Sequence, residues 1–272
     1  MTGTTQDITP DMAPPARRPW LRPHRLVLMA LAAGLVALAV QSGDWSWLPK
    51  YGPLLWQGLG TTLALLAGSV VLGGALAIGL GLAQTAGPPW LALPARSFCT
   101  VIRGTPLLLQ LWLLYYGLGS LFPMIPGIRT SLLWPYLREA WPYGLAALTI
   151  SFAGYEGEVM RGAFAGVPQG ELQAGRAFGM KPLTLFRRIW LPRALHRALP
   201  TLSGELVLQL KATPLVATVT MVDLYGVIAR VRSGTLLTYE PLLLLALIYL
   251  ILTAILVTAL RLLENRIPSK GA

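Results

Sequence analysis

Glu156, Glu158, Arg161, Glu205 and Lys211 are ionisable side chains set inside or at the edge of apolar stretches, where charge is costly and tends to serve a purpose. Glu158 and Arg161 are three residues apart, so on a helix they share one face and can neutralise each other at a membrane boundary. Such a pair braces a neighbouring loop or simply flanks a span, and both readings fit. Lys211 stands within an apolar stretch, where an unpaired ammonium costs at least about 2.5 kcal/mol. Glu205 lies six residues earlier and so falls on a different helix face, which leaves Lys211 to carbonyls at the break before Pro214, to another helix, or to a watered path. Glu205, Lys211 and Thr213 are the candidates for such a path. Metal, disulfide and nucleophilic chemistry have no comparable basis. Cys99 is the single cysteine, His24 and His196 are far apart in sequence, and a Walker-type phosphate loop is missing. No bound cofactor or metal is expected on this chain, and nucleotide hydrolysis would fall to another polypeptide.

The elements that hold these side chains are set by composition. With 54% hydrophobic and only 12% charged residues over 272 positions, and a positive mean hydropathy, the chain reads as an all-α integral membrane protein of several spans. Runs at 51–95, 104–128 and 241–260 exceed the roughly 20 helical residues needed to cross a bilayer core. Two more polar crossings are expected at about 143–160 and 199–223. A further run at 26–43 follows a basic tail, 1–25, and reads as a retained first helix or as a signal-peptide core. Retention is expected, since later spans can direct insertion. With both termini in the cytoplasm, basic residues sort strongly to that side, including Arg17, Arg18, Arg96, Arg103, Arg187, Arg188 and Arg261. The opposite side keeps Lys50, Arg129, Arg138, Arg230 and Arg232. The net charge of +11 is thereby accounted for by topology and anionic lipid, and nucleic-acid binding is not expected.

Residues 163–197 form the largest polar segment between spans. Pro168 suits the first turn of a short helix, Gly179 a left-handed C-cap, and Pro182 the start of a second helix that Pro192 is expected to end. Leu172, Ala174, Ala177 and Phe178 would give the first helix a small apolar face, with Glu171, Gln173 and Arg176 offering polar contacts. Such a helix either seats in a partner's groove or rests on lipid head groups, which Arg187 and Arg188 would also favour.

The spacing of Gln173, Ala174 and Gly175, then Gly179, then Ile189, Leu191 and Pro192 resembles the EAA loop of ABC importer permeases. Two letters depart: Gln173 stands where Glu is usual, and Gly175 where Ala is usual. Gln retains hydrogen bonding but loses a charge-assisted pair, and Gly weakens a helix by up to about 1 kcal/mol relative to Ala. Arg103, Gly104, Thr105, Pro106 and Leu107 with Gln110, Tyr115, Tyr116 and Gly117 are similar to the polar amino-acid subgroup. So are Tyr155, Glu158, Arg161 and Gly162. Leu210, Lys211, Thr213, Leu215, Val216 and Asp223 resemble its histidine, arginine and opine branch. The resemblance covers residues 57–265, leaving 266–272 as a tail.

That resemblance implies a type I ABC importer permease core of five helices plus an extra N-terminal helix, in a bacterial inner membrane. It implies an ATP-binding subunit carrying ATP and Mg, a second permease copy or homologue, and an extracytoplasmic amino-acid-binding protein. Glu171, Gln173, Ala174, Gly175, Arg176 and Gly179 would form the coupling contact, braced by Glu158, Arg161, Ile189, Leu191 and Pro192. Basic amino acids or opines are the expected cargo. The competing reading is a membrane scaffold that recruits a cytoplasmic partner through residues 163–197 without transport.

Overall fold

The structure, a computed structural model, describes residues 43–266 together with residues 27, 34, 37, 40 and 41. The chain divides into two units, Met1–Trp45 and Ser46–Ala272. The basic tail 1–25, most of the expected helix 26–43 and the tail 267–272 lie outside the described residues.

The second unit is helical. Its first helix, α1 (Leu48–Ala86), ends at Gly87, and Pro88 caps a separate helix, α2 (Pro89–Gly104). The apolar run 51–95 is therefore not one span, because Pro88 and Pro89 together remove two backbone donors where the helix would have to continue. The run 104–128 is likewise cut at its start by Pro106. From there α3 (Leu107–Trp112) passes into a π-helical stretch, Leu113–Leu118, and the helical path closes at Met124. After a one-turn helix at Trp134–Leu137 comes α4 (Trp141–Ala165). The polar segment then supplies α5 (Gln169–Ala177) and α6 (Pro182–Leu185), followed by α7 (Leu191–Ala212). Beyond a 3-10 stretch, Thr213–Val219, lie α8 (Leu224–Thr235) and α9 (Tyr239–Arg266).

Leu48–Ala86, Leu107–Met124 and Tyr239–Leu263 are each long and apolar enough to cross a membrane. The path Pro182–Val219 with Leu224–Thr235, bent by 51°, is long and apolar enough to be a fourth when the two helices are taken as one span. The charged α4, about 37 Å long by its residue count, completes a five-helix core.

Small residues decide how the helices meet. The buried face of α1 runs Gly58, Thr62, Leu65, Ser69, Gly73, Ala77 and Gly81, a spacing of three or four that draws one stripe along the helix. Its upper end, Gly58 and Thr62, meets the start of α8, and from Gly73 to Gly81 it packs along α4 against Thr149, Phe152 and Met160. A Cβ at Gly81 would stand 2.7 Å from Met160 Cβ and 2.9 Å from the Arg161 amide nitrogen. Backbones this close gain dispersion and polar contacts, which drive helix association where lipid removes the hydrophobic incentive.

Polar ties then fix register. Gln209 Nε2 on α7 donates to Ser69 Oγ on α1 at 2.8 Å and to the Leu148 carbonyl on α4 at 3.1 Å. Thr62 Oγ1 accepts the Leu224 amide at 3.1 Å, and Asp223 Oδ1 caps α8 through Gly226 N–H at 2.8 Å. By contrast α9 carries no buried residue within its apolar window, as a helix facing lipid would.

Candidate functional site

The polar segment between α4 and α7 folds as a short arm hinged on Gly179. α5 begins after Pro168 and carries Glu171 in its first turn and Arg176 in its last, each the sign that complements the helix dipole there. It ends in a Schellman motif. Met180 N–H reaches back to the Gly175 carbonyl at 3.1 Å and Gly179 N–H to the Arg176 carbonyl at 2.9 Å, while Gly179 takes φ +74°.

The face of α5 that touches the molecule differs from the one expected. Leu172 and Gly175 are buried, whereas Ala174, Ala177 and Phe178 are exposed, Phe178 at 86%. The reason is a close crossing: a Cβ at Gly175 would lie 2.5 Å from Leu185 Cδ1 and 3.1 Å from Ile189 Cδ1. Gly in place of the usual Ala leaves the tips of Leu185 and Ile189 where they lie, without their having to swing aside. The outward face, Gln173, Ala174, Arg176, Ala177 and Phe178, is left for something outside this chain.

Pro192 does not end the second helix. The path from α6 widens into a π-helical stretch, Phe186–Trp190, in which Leu191 N–H reaches the Phe186 carbonyl five residues back, and then continues as α7. Pro192 falls in the first turn of α7, where a missing N–H costs little. The wider turn absorbs the proline that an unbroken α-helix would reject.

An aromatic anchor joins this arm to the end of α4. Trp190 Nε1 donates to the Phe164 carbonyl at 3.1 Å, and the Phe164 and Trp190 rings meet edge to face at 5.4 Å, with Phe186 beside both. Around them Met160, Ala163, Phe164 and Val167 form one core with Leu172, Leu185, Ala194 and Ala198, against which Ile189 and Leu191 pack. Glu171 is held within the segment by Arg193, at 2.9 Å. Glu158 and Arg161 pair on one face of α4, Nε to Oε1 at 2.6 Å. Met160 and the Arg161 backbone also lie beneath Gly81, and Thr85 Oγ1 of α1 reaches the Arg161 carbonyl at 3.5 Å, so the pair sits where α1 meets α4.

The path candidates are dispersed. Thr213 is fully buried and bonded to the Leu210 carbonyl at 2.8 Å and the Tyr249 hydroxyl at 3.0 Å, which closes it to a solute in this conformation. Glu205 is half-buried on α7, and Lys211 is exposed on the side away from the Gln209 contacts. Among the described residues, neither takes part in an ion pair. The sequence reading noted Glu156, which is fully buried, without assigning it to a site, and it overlooked the aromatic anchor. For the latter the signal was Phe186 and Trp190, four apart and so on one helix face.

A bundle of apolar helices carrying one braced polar arm is the build of a membrane transport subunit. Residues 73–268 match the family described as binding-protein-dependent transport system inner membrane component, and the chain belongs to it. The octopine transport system permease protein OccM of Rhizobium meliloti is 42% identical over 202 residues, 70% of this chain and 78% of the relative. The histidine/lysine/arginine/ornithine transport system permease protein HisM of Escherichia coli K12 is 34% identical over 220 residues, 79% and 91% of the two chains. Among solved structures, an amino acid ABC transporter crystallised with histidines matches with a TM-score of 0.69 at 31% identity, over 83% of this chain and 100% of that one. The MetNI methionine ABC transporter in an inward-facing conformation shares the fold, with a TM-score of 0.61 at 18% identity. The chain is thus an inner-membrane permease subunit of an ABC importer with the type I permease fold.

Proposed function

We propose that this permease imports polar amino acids, with basic amino acids and opines as the preferred class. The observation that carries the substrate class is the 42% identity to an octopine permease over 202 residues. ATP and Mg belong to a separate ATP-binding subunit, an extracytoplasmic protein delivers the solute, and a second copy or homologous permease completes the path. Both termini lie in the cytoplasm, and residues 57–265 make up the transport domain.

The arm at 163–197 is the lever. Gln173, Ala174, Arg176 and the exposed Phe178 seat in the ATP-binding subunit, while Glu171 steadies the arm through Arg193. Gly175 and Gly179 give α5 its close packing and its sharp end. The Trp190 and Phe164 contacts pass a displacement of the arm to α4, with Ile189, Leu191 and Pro192 holding the second arm on the same core and Glu158 and Arg161 fixing the far side. Nucleotide binding shifts the permease between access states only through its different affinity for them. Lys211, exposed on α7, and Glu205 on the same helix are charged groups toward the path, and Thr213 holds the break between α7 and the 3-10 stretch.

The test is ATP-dependent uptake by proteoliposomes containing this chain, its ATP-binding subunit and its binding protein, across labelled polar amino acids and octopine. Uptake of arginine, histidine or octopine that is lost with Gly179→Pro is the expected result. An assembled complex that moves none of them returns the chain to the scaffold reading.

A further inference from the structure

The 3-10 stretch after α7 ends in a backbone conformation that needs explaining. Thr220 is a β-branched residue at φ +65°, in the left-handed region that such side chains avoid, and residues held there tend to cluster where function demands it. Around this point polar groups gather on an exposed face of apolar helices. Trp112 Nε1 donates to Thr218 Oγ1 at 3.1 Å, the Tyr116 hydroxyl donates to the Thr218 carbonyl at 3.3 Å, and the Tyr115 hydroxyl meets Thr220 Oγ1 at 3.3 Å. Trp112 and Tyr116 come from the π-helical turn and its edge, a local widening often found at functional positions. Hydroxyl and indole groups exposed in an apolar region suit a watered path better than lipid.

Thr218 and Thr220 also line a cavity of about 380 Å³ whose far wall is α8, with Tyr225, Gly226 and Arg230. That volume lies within the range of small-ligand sites. Arg230 is exposed at this wall and, among the described residues, joins no ion pair, and no carboxylate lines the cavity. A guanidinium without a counterion beside hydroxyl groups is a receptor for a carboxylate, which it binds through paired N–H donors.

We propose that this cavity receives the carboxylate end of the transported solute, with Arg230 as the charge partner and the Thr218 and Thr220 turn, held by Trp112, Tyr116 and Tyr115, as the polar wall. The ligand class is an α-amino acid or an N-carboxyalkyl amino acid. An opine of the latter kind, carrying a second carboxylate, binds at least as well as its parent amino acid. This inference rests on the importer reading and adds where the carboxylate is held.

The experiment measures equilibrium binding of labelled arginine, octopine and agmatine, which is arginine without its carboxylate, to the assembled transporter in nanodiscs of neutral lipid without binding protein. Uptake by the same preparation with binding protein restored is followed in parallel. Arginine and octopine are expected to bind at least about tenfold more tightly than agmatine, and Arg230→Gln to abolish that preference while co-purifying normally with the ATP-binding subunit. Arg230→Lys restores part of it, and Thr220→Val, which removes the hydroxyl paired with Tyr115, weakens arginine binding severalfold. Undiminished preference in Arg230→Gln, or equal binding of arginine and agmatine by the unaltered protein, overturns the carboxylate site while uptake persists. So does binding that appears only when the binding protein or anionic lipid is supplied. Loss of all amino-acid uptake by the unaltered, assembled complex instead defeats the importer reading itself.

Discussion

Gly179 and Gly175 show how single positions set the geometry of the coupling arm. At Gly179 a Cβ would meet no neighbouring atom, so the cost of Gly179→Ala is backbone strain alone at φ +74°, about 1–2 kcal/mol. Asn tolerates this region better, so Gly179→Asn should retain more ATP-dependent uptake and a higher unfolding temperature than Gly179→Ala. At Gly175 the obstacle is the tip of Leu185, a flexible side chain that can swing aside, while Ala would recover up to about 1 kcal/mol of helix propensity. Gly175→Ala is therefore expected near neutral in thermal stability, whereas Gly175→Leu should detach the arm and lower ATPase co-purification. Gln173 is exposed on the outward face. Gln173→Glu should alter affinity for the ATP-binding subunit in a salt-dependent way, read by titrating the complex at low and high ionic strength, because it adds a charge at the contact.

At the scale of elements, α1 against α4 and the arm against α4 do different work. The first is a backbone contact with no slack at Gly81, where the obstacles to a Cβ are Met160 Cβ and main-chain atoms rather than a movable side-chain tip. Gly81→Ala should therefore lower stability by about 1–3 kcal/mol, the range for overpacking, and Gly81→Leu should prevent assembly, both measured by thermal unfolding in detergent. The second contact is a core of side chains tied by one indole hydrogen bond. Trp190→Phe keeps a ring against Phe164 but removes the N–H that reaches its carbonyl, a loss of about 1 kcal/mol. Its signature is ATP hydrolysis that continues while uptake falls, since the arm still docks but transmits less. Equal loss of both activities would show the anchor to be needed for assembly instead. The Glu171 and Arg193 pair is partly exposed, so its removal should cost no more than about 1 kcal/mol.

For the whole molecule, the question is which ends of the helices face which compartment. Phe178 is 86% exposed in the arm and Leu132 is 93% exposed in the connection between α3 and α4, while the only native thiol, Cys99, is 1% exposed. Single substitutions Phe178→Cys and Leu132→Cys should react with a membrane-impermeant maleimide from opposite faces, the first in inside-out vesicles and the second in right-side-out vesicles. Labelling of each from the other side would reverse the expected orientation, and labelling of both from one side would break the continuity of the spans. The sidedness follows from where arginine and lysine gather, a bias set during insertion.

The number of long apolar runs, the positive tail-and-loop pattern and the Gly179 turn could be read from the chain, because span length, charge sorting and left-handed backbone are each decided within a few adjacent residues. The spacing of Gln173, Gly179 and Pro192 likewise identified the arm. Folding alone decided that Pro192 begins a helix, through a π-helical turn whose extra residue depends on the packing of Trp190 against Phe164. It also decided that Gly175 rather than Ala174 faces inward, since Leu185 arrives there from another helix. The Thr218 and Arg230 cavity joins the residues after α7 to the first two turns of α8, with its Thr218 and Thr220 wall held by Trp112, Tyr115 and Tyr116 from a hundred residues away. Local periodicity carries no record of such a meeting: it exists only once close backbone contacts and buried hydrogen bonds, such as Gln209 with Ser69 and Leu148, have fixed the register of the helices.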